Sequence, residues 1–349
     1  FYYHKNLCHH DLLLDFKMEN MADRLLEAID KKGNPCVVGL DPVLDRIPKH
    51  LIEGYGFGQI AEAIKRFNEE LIDAVADIVP AVKPQIAFYE KYGHYGLEAF
   101  QHTVNYAKLC KDLIVIEDGK RNDIGSTSRA YADGHLGVVR KNHGPFPSID
   151  VDLLTVNPFL GTDGLDPFVD VCKTYKKGLF ILVKTSNPSS GQIQDRRVKL
   201  TPNEKNWLSC FGVDGDTTEL YNLTAMMVDR YAQDTKGKRG YSSIGAVVGA
   251  TYPEQAEILR KLMPDSIFLV PGYGAQGASA DDITNCFNDD GYGAVVNASR
   301  SIIYAYEKHD DPKNFANHAR DATEKMVEDV NDAIMKAGKT SRIQDITYQ

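Results

Sequence analysis

A cluster of charged residues in residues 117–124 has the residue types and the spacing of a catalytic charge network. Residues 117–124 read EDGKRNDI. Side chains two apart in an extended chain face the same way, so Asp118 and Lys120 should point into one space. Asp123 follows on the next turn, and Lys83, in an apolar segment upstream, would bring a second ammonium group to the same space.

Alternating charges of this kind keep one another ionised, because each lysine is flanked by carboxylates and each carboxylate by ammonium groups. A unit-charge pair at about 4 Å is worth about 4 kcal/mol at an effective dielectric constant of about 20. Gly119 is expected to let the backbone bend between Asp118 and Lys120. The sequence therefore predicts a catalytic site here, with a structural salt-bridge cluster at a strand end as the alternative.

Two segments near the end of the chain predict phosphate binding. Residues 272–277 (GYGAQG) spell the G-x-G-x-x-G fingerprint, but they follow a late apolar segment and not the first one, which argues against a nicotinamide cofactor. Glycine N–H groups and the Gln276 amide can donate to an anion. Residues 297–300 (NASR) follow the next segment and add the guanidinium of Arg300, which can bind phosphate oxygens in pairs.

The polar signals all follow short apolar segments that read as buried parallel strands, and these alternate with stretches of helical period. The strand-like segments are 36–40, 81–86, 113–116, 151–156, 179–183, 244–248, 266–270 and 293–296. The helical stretches are 18–32, 60–78, 97–113, 126–140, 217–234, 253–262 and 314–336. This alternation predicts an α/β fold, a (β/α)8 TIM barrel, with an open doubly wound sheet as the alternative.

Additions to the barrel are expected at two places. Residues 189–216 have no strong period and form a long insertion between the fifth strand and the fifth helix, either a lid over the site or a surface excursion. An N-terminal helical extension precedes the first strand. Residues 1–17 match no signal peptide and read as a leader or an expression remnant, so 18–349 is predicted to be a single domain.

Composition narrows the class of protein. The 349 residues carry a net charge of −9, which argues against a nucleic-acid surface but allows a local basic pocket for one small anion. No apolar run reaches the roughly 18–20 residues that span a bilayer. The six cysteines lie far apart with no C-x-x-C pair, so we expect reduced thiols and a cytoplasmic location.

The sequence predicts neither a metal site nor a catalytic histidine. Cys8, His9 and His10 are close enough to hold a metal, but they fall in the leader, and no metal site is predicted. The remaining histidines considered are expected on the surface: His94, His102, His135 and His143.

Taken in order, these residues resemble the orotidine 5′-phosphate decarboxylase family. The matching motifs span 37–303 and are LDP with Asp41, VKPQ with Lys83, DGKRNDI, TSNP, PGYGAQG and SRSI. D-x-K-x-x-D alone is shared with related barrels that act on sugar phosphates, whereas the ordered set is specific. The resemblance implies a (β/α)8 homodimer that converts orotidine 5′-monophosphate to uridine 5′-monophosphate (UMP) and CO2, the last step of UMP biosynthesis, without cofactor or metal.

The resemblance also implies a role for each matching residue. Asp118 would face the substrate carboxylate, and Lys120 would stabilise the carbanion at C6 and protonate it. Lys83 and Asp123 would complete the charge network and contact the ribose, as would Asp41. The remaining substrate contacts implied are Ser186 for the pyrimidine, Gln276 and Arg300 for the phosphate with backbone near Gly274 and Ser299, and Asn157 and Pro271 at other strand ends.

In this family the second aspartate reaches the site from the partner subunit. Asp123, Ile124 and Thr127 are therefore expected to cross the dimer interface, with Ile124 and Thr127 also touching substrate. A serine, Ser299, stands before the phosphate arginine where the family commonly has glycine. Two alternatives stay open at this point: a related enzyme such as a metal-using hexulose-phosphate synthase, and a non-catalytic nucleotide-binding barrel.

Overall fold

Parallel strands close into a barrel in the computed structural model, which describes residues 19–339 except 55, 142, 143, 275, 276 and 278. The eight barrel strands are β1 Cys36–Leu40, β2 Ala81–Pro84, β3 Ile114–Arg121, β4 Leu153–Val156, β5 Gly178–Lys184, β6 Ser242–Val248, β7 Ser266–Pro271 and β8 Ala294–Ala298. Each pairs in parallel with the next, and β8 pairs with β1. The (β/α)8 prediction is confirmed.

Helices surround the barrel and bury one apolar face against it. They are α1 Met21–Lys32, α2 Phe57–Val75, α3 Ala87–Glu90, α4 Gly93–Asn105, α5 Gly125–His135, α6 Thr162–Tyr175, α7 Pro202–Ser209, α8 Leu220–Gln233, α9 Pro253–Leu262, α10 Arg300–Ile303 and α11 Phe315–Lys336. In α2 the buried side chains of Ile60, Ile64 and Phe67 recur at spacings of three and four, which is the period that predicted the helix.

The helix before the first strand closes the lower end of the barrel, where the strands begin. Asn20 caps α1 by accepting from the Ala22 N–H, and Gly33 ends it at φ 68°. Leu25 and Leu26 of α1 are buried in one cluster with inward-facing strand side chains such as Val37. The N-terminal helical extension is thus confirmed, and it leaves the carboxyl ends of the strands as the accessible mouth.

The long insertion has more regular structure than its sequence period indicated. Arg197–Lys199 pairs antiparallel with Thr217–Glu219, and α7 lies between these two short strands. Thr201 and Glu204 form a capping box at the start of α7, a local signal that is independent of hydrophobic period. The lack of a strong sequence period over 189–216 therefore does not mean a lack of regular local structure.

Other element predictions need correction. The structure has α6, which the sequence reading missed because Pro167 and two glycines near its start weaken the helical pattern. A hairpin of Val138–Lys141 and Gly144–Pro147 replaces the predicted end of the fourth helix. The third strand, predicted as 113–116, runs on to Arg121 through the charged motif. Residues 1–17 lie outside the described part of the chain.

Candidate active site

The charged motif lies on β3 at an irregularity in the strand. The pairing of β3 with β4 shifts register between Glu117 and Arg121, which is a bulge. Lys120 has a left-handed backbone, φ 48°, an uncommon conformation for a side-chain-bearing residue that clusters at functional sites. Its N–H donates to Thr155 Oγ1 of β4 at 3.0 Å. The bulge therefore turns the Lys120 side chain toward the mouth.

The bend expected at Gly119 occurs one residue later, at Lys120. Glycine is still required at 119, because a Cβ there would lie 2.8 Å from Glu117 Oε1 and 2.9 Å from Leu154 Cδ1. Its role is close packing, and the prediction that it supplies the bend is wrong.

Three predicted residues form a continuous chain of charges. Lys83 Nζ lies 3.0 Å from Asp118 Oδ2, and Lys120 Nζ lies 2.5 Å from Asp118 Oδ1. The Lys83 and Asp118 side chains are 5% and 16% exposed, whereas Lys120 is 46% exposed. Thr155 donates its hydroxyl to Asp118 Oδ1 at 3.1 Å, so it supports both the carboxylate and the Lys120 backbone. Lys120 is thus the accessible end of a buried ion-pair chain.

The pKa directions of this cluster follow from its geometry. Burial raises the pKa of Asp118, but Lys83 and Lys120 outweigh that effect, and the net pKa is well below its usual value. Burial lowers the pKa of Lys83, but the Asp118 and Asp41 carboxylates outweigh it and the net pKa is raised. Both groups are therefore ionised at neutral pH, as the sequence predicted for the network.

The two other predicted aspartates differ in their relation to this chain. Asp41, after β1, acts on Lys83 electrostatically, and its Oδ1 is buried without a hydrogen-bond partner among the described residues. Asp123 accepts from the Ile124 N–H at 2.7 Å and, in the described part of the chain, makes no ion pair with Lys83 or Lys120. Within one subunit the network is therefore Lys–Asp–Lys beside Asp41, without Asp123.

The predicted phosphate residues lie on the neighbouring ends of β7 and β8. Arg300 is exposed at the start of α10, directly after Ser299. Gly274 has φ 71°, is exposed, and borders a groove of about 530 Å³ between the loop after β7 and α11. Pro271 ends β7, and its carbonyl accepts from the Ala250 N–H. Gln276 lies outside the described residues, so its placement stays a prediction.

The Ser299 side chain packs against Gly39 of β1, where a larger residue than glycine would not fit. A Cβ on Gly39 of β1 would come within 1.8 Å of Ser299 Oγ, so the serine side chain lies directly over that glycine. Below it, Asn297 is 7% exposed and its Oδ1 has no partner among the described residues, although its Nδ2 lies 3.4 Å from Ser299 Oγ. A buried amide with an unmet acceptor at the mouth is a polar feature that the sequence reading missed, and its signal was an asparagine inside an apolar strand.

The remaining predicted residues line two other sides of the mouth. Ser186 is half-buried after β5, and its carbonyl accepts from Thr251 Oγ1 at 3.2 Å. Asn157 is exposed after β4, and its side-chain oxygen accepts from the Phe159 N–H, so it caps its own loop. Ile124 is 55% exposed and Thr127 is also exposed, at the start of α5.

One histidine is placed differently from its prediction. His135 is buried at the end of α5, and its Nδ1 lies 2.8 Å from Oε2 of Glu117, which is fully buried. The expectation of a surface position is wrong because α5 packs this residue against the outer side of β3. His143 and the possible metal group of Cys8, His9 and His10 lie outside the described residues.

The described residues offer neither a metal-binding cluster nor a membrane-spanning helix. Across residues 19–339, apart from the six gaps, no group of three His, Cys, Asp or Glu side chains is arranged as a metal site. Within the same described ranges, no helix combines the length and the apolar character needed to cross a membrane.

Comparison with known proteins assigns the barrel to a family. The family model described as "Orotidine 5'-phosphate decarboxylase / HUMPS family" matches residues 37–209. The chain is 44% identical over 319 residues to the orotidine 5′-phosphate decarboxylase of Rhodopirellula baltica, covering 89% of the chain and 99% of that protein. It is 38% identical over 325 residues to that of Caldicellulosiruptor saccharolyticus, covering 91% of the chain and 100% of that protein.

Solved structures agree. The OMP decarboxylase of Leishmania donovani superposes with a TM-score of 0.62 at 25% identity, covering 90% of this chain and 99% of that one. The UMP synthase of the same organism gives 0.65 at 27% identity, covering 91% of this chain and 57% of that one. The chain therefore belongs to the orotidine 5′-phosphate decarboxylase family, and it decarboxylates orotidine 5′-monophosphate in UMP biosynthesis.

Proposed function

We propose that the Lys83–Asp118–Lys120 chain performs this decarboxylation, with Lys120 as the group that stabilises and protonates the carbanion. The observation that carries the proposal is the ion-pair chain itself. It places the Lys120 ammonium group at the mouth, and the buried Asp118–Lys83 pair fixes its position. Lys120 is the partly exposed member, so it is the one that substrate can reach. Asp118 is held ionised and faces the position of the substrate carboxylate.

The reaction requires charge stabilisation at one carbon. When the bond between C6 and the carboxylate breaks, its electron pair stays on C6 and CO2 leaves as a neutral molecule. A fixed ammonium beside C6 stabilises this developing charge more than it stabilises the ground state. Lys120 then gives a proton from Nζ to C6 and takes a proton back from water. This step uses no metal or cofactor.

Substrate binding is assigned to the residues around the chain. Asp41, whose Oδ1 has no hydrogen-bond partner among the described residues, and Lys83 bind ribose hydroxyls. Arg300 and Gln276 bind the phosphate together with backbone N–H groups near Gly274 and Ser299. Phosphate binding far from C6 supplies energy that orders the site. Ser186 binds the pyrimidine, and Asn157 and Pro271 border the nucleotide.

A homodimer with shared sites accounts for Asp123. Ile124, Tyr131 and Phe159 are 55%, 38% and 82% exposed, and exposed large apolar side chains of this kind support an interface. In this arrangement Asp123 of the partner subunit completes the network, and Ile124 and Thr127 of the partner subunit border the substrate. Mixing inactive Lys120→Ala and Asp123→Asn dimers should then restore about a quarter of wild-type activity through hybrid dimers. Sites built from one chain would give no restoration.

The direct experiment follows orotidylate absorbance after Lys120→Ala, with Lys261→Ala as the matched control. Lys261 pairs with Glu257 on the exposed side of α9, far from the mouth. We expect turnover to fall by at least about a thousandfold in the first variant and to stay unchanged in the control. A chelator should leave wild-type turnover unchanged. Full turnover by Lys120→Ala would contradict the assignment.

The cellular setting is proposed on separate grounds. The five cysteines within the described residues, Cys36, Cys110, Cys172, Cys210 and Cys286, are all free thiols, which fits a reducing cytoplasm. Residues 18–349 are proposed to fold as one unit after the leader 1–17. A single calorimetric transition would support one unit, whereas two separated transitions would contradict it.

A further inference from the structure

A buried lysine at the end of β5 joins the barrel to the insertion. Lys184 is completely buried, its Nζ lies 2.6 Å from Asp195 Oδ1, and the ring centroid of Tyr252 lies 4.4 Å from the same nitrogen. Burying an ammonium group costs free energy unless an opposite charge pairs with it. Asp195 is therefore needed at this position to stabilise the buried Lys184. None of the roles assigned above uses this pair.

The residue next to Asp195 makes a second link to the same strand end. Gln194 Oε1 accepts from the Thr185 N–H at 3.0 Å, and its Nε2 donates to Thr185 Oγ1 at 2.9 Å. Two successive residues of the insertion therefore hold two successive residues of the barrel. Because Lys184 and Thr185 immediately precede Ser186, the insertion fixes the backbone that enters the Ser186 turn.

The loop after β6 holds that backbone from the other side. The Gly249 N–H donates to the Lys184 carbonyl at 2.7 Å, and Thr251 Oγ1 donates to the Ser186 carbonyl at 3.2 Å. A Cβ on Gly249 would lie 2.7 Å from the Ser186 backbone nitrogen, so the two loops are in direct contact. Ser186 is thus held between the insertion and the loop after β6.

We propose that Lys184, Asp195 and Gln194 are positioning residues for nucleobase recognition, and that the insertion is a working part of the substrate site. They act through the backbone of Thr185 and Ser186. The Ser186 hydroxyl must lie at a fixed position to bind the pyrimidine. The inference rests on the proposed contact between Ser186 and the base. These three residues are assigned no contact with ribose or phosphate. Changing them should therefore weaken binding only of ligands that carry the base.

The test compares the affinity of each variant for UMP and for ribose 5-phosphate, which lacks the base, as competitive inhibitors. For Asp195→Asn and Gln194→Ala we expect the affinity for UMP to fall about tenfold or more and that for ribose 5-phosphate to change less than about twofold. Lys205→Ala is the control, because Lys205 pairs with Asp216, and both residues belong to the insertion. It should leave both affinities unchanged.

A purely structural role would lower both affinities together or lower only the melting temperature, and either result would overturn the inference. Gln194→Ala keeps the buried ion pair, so it reports on positioning even if Asp195→Asn folds poorly. Ser186→Ala distinguishes a failure of the positioning inference from a failure of the proposed contact between Ser186 and the base. If it weakens UMP binding while the other two variants do not, only the positioning inference fails. If none of the three weakens UMP binding, the proposed Ser186 contact fails as well.

Discussion

The two ends of the barrel each carry a dense cluster of charges, and only one of them is a candidate for chemistry. At the lower end, Asp152 pairs with Arg24 at 3.1 Å and also accepts from the Val115 N–H. Lys177 and Lys108 lie 2.7 and 2.8 Å from the Asp150 carboxylate. At the mouth, Lys83, Asp118 and Lys120 make an equally close set of ion pairs.

The difference between the ends lies in access and in unmet hydrogen-bonding capacity. In the lower cluster Asp152, Lys108 and Lys177 are buried, with side chains 2%, 8% and 9% exposed. Asp150 is 40% exposed, but both lysines are already bound to its carboxylate. The mouth has a half-exposed Lys120, an exposed Arg300, and the partnerless acceptors of Asp41 and Asn297 among the described residues. Charge density alone therefore does not identify a site. A site also needs groups that a ligand can reach and satisfy.

The largest expected effect comes from removing the central charge at the mouth. Asp118→Asn keeps the shape of the side chain but no longer holds Lys120 by an ion pair, so we expect kcat/KM for orotidylate to fall by at least about a thousandfold. Circular dichroism should show a folded protein with a normal barrel. If activity remained within about tenfold of wild type, the mouth cluster would be structural and the contrast between the two ends would break.

The matched change at the lower end should affect stability and not catalysis. Asp152→Asn leaves the mostly buried guanidinium of Arg24 without its carboxylate, whereas Lys177 keeps Asp150. Breaking such a buried pair costs about 3–5 kcal/mol of unfolding free energy. Urea unfolding measures this loss, and turnover per folded molecule should stay unchanged. A loss of turnover in the folded fraction would show that the lower end is coupled to the site.

A smaller effect concerns pH. The folded pKa of Asp118 is lowered from 3.8, so the stability it contributes is present above that value and is lost as pH falls through the folded pKa. The folded pKa of Lys83 is raised from 10.5, so its contribution is present below that value and is lost as pH rises through the folded pKa. The stability difference between wild type and Lys83→Met should therefore stay flat from about pH 5 to about pH 9. A slope near neutral pH in urea titrations would contradict these directions.

The sequence predicted the barrel and the charge chain because both depend on local pattern. Short apolar segments alternate with helical period, and the motif with Asp118 and Lys120 follows directly from one of them. The bulge could not be predicted, since the left-handed backbone of Lys120 goes with a tertiary contact to β4, in which Thr155 Oγ1 accepts from the Lys120 N–H. The alternation of residues predicts which way side chains point in a regular strand, but it does not predict a bulge.

The features that were missed depend on contacts between distant segments. His135 looked like a surface histidine until α5 placed it against Glu117. The insertion showed no period because its short strands pair with each other across α7, and its link to Lys184 is a tertiary contact. Such contacts leave single polar residues inside apolar runs, as Asn297 does, but the sequence does not say which partner satisfies them.

The measurement that tests the central claim most directly is kcat/KM for orotidylate in Asp118→Asn and Asp152→Asn, both assayed where they are fully folded. We expect the variant at the mouth to have a kcat/KM at least about a thousandfold lower than that of the variant at the lower end. Equal values for the two variants would contradict it, because the two charge clusters would then contribute alike and the mouth would have no special role.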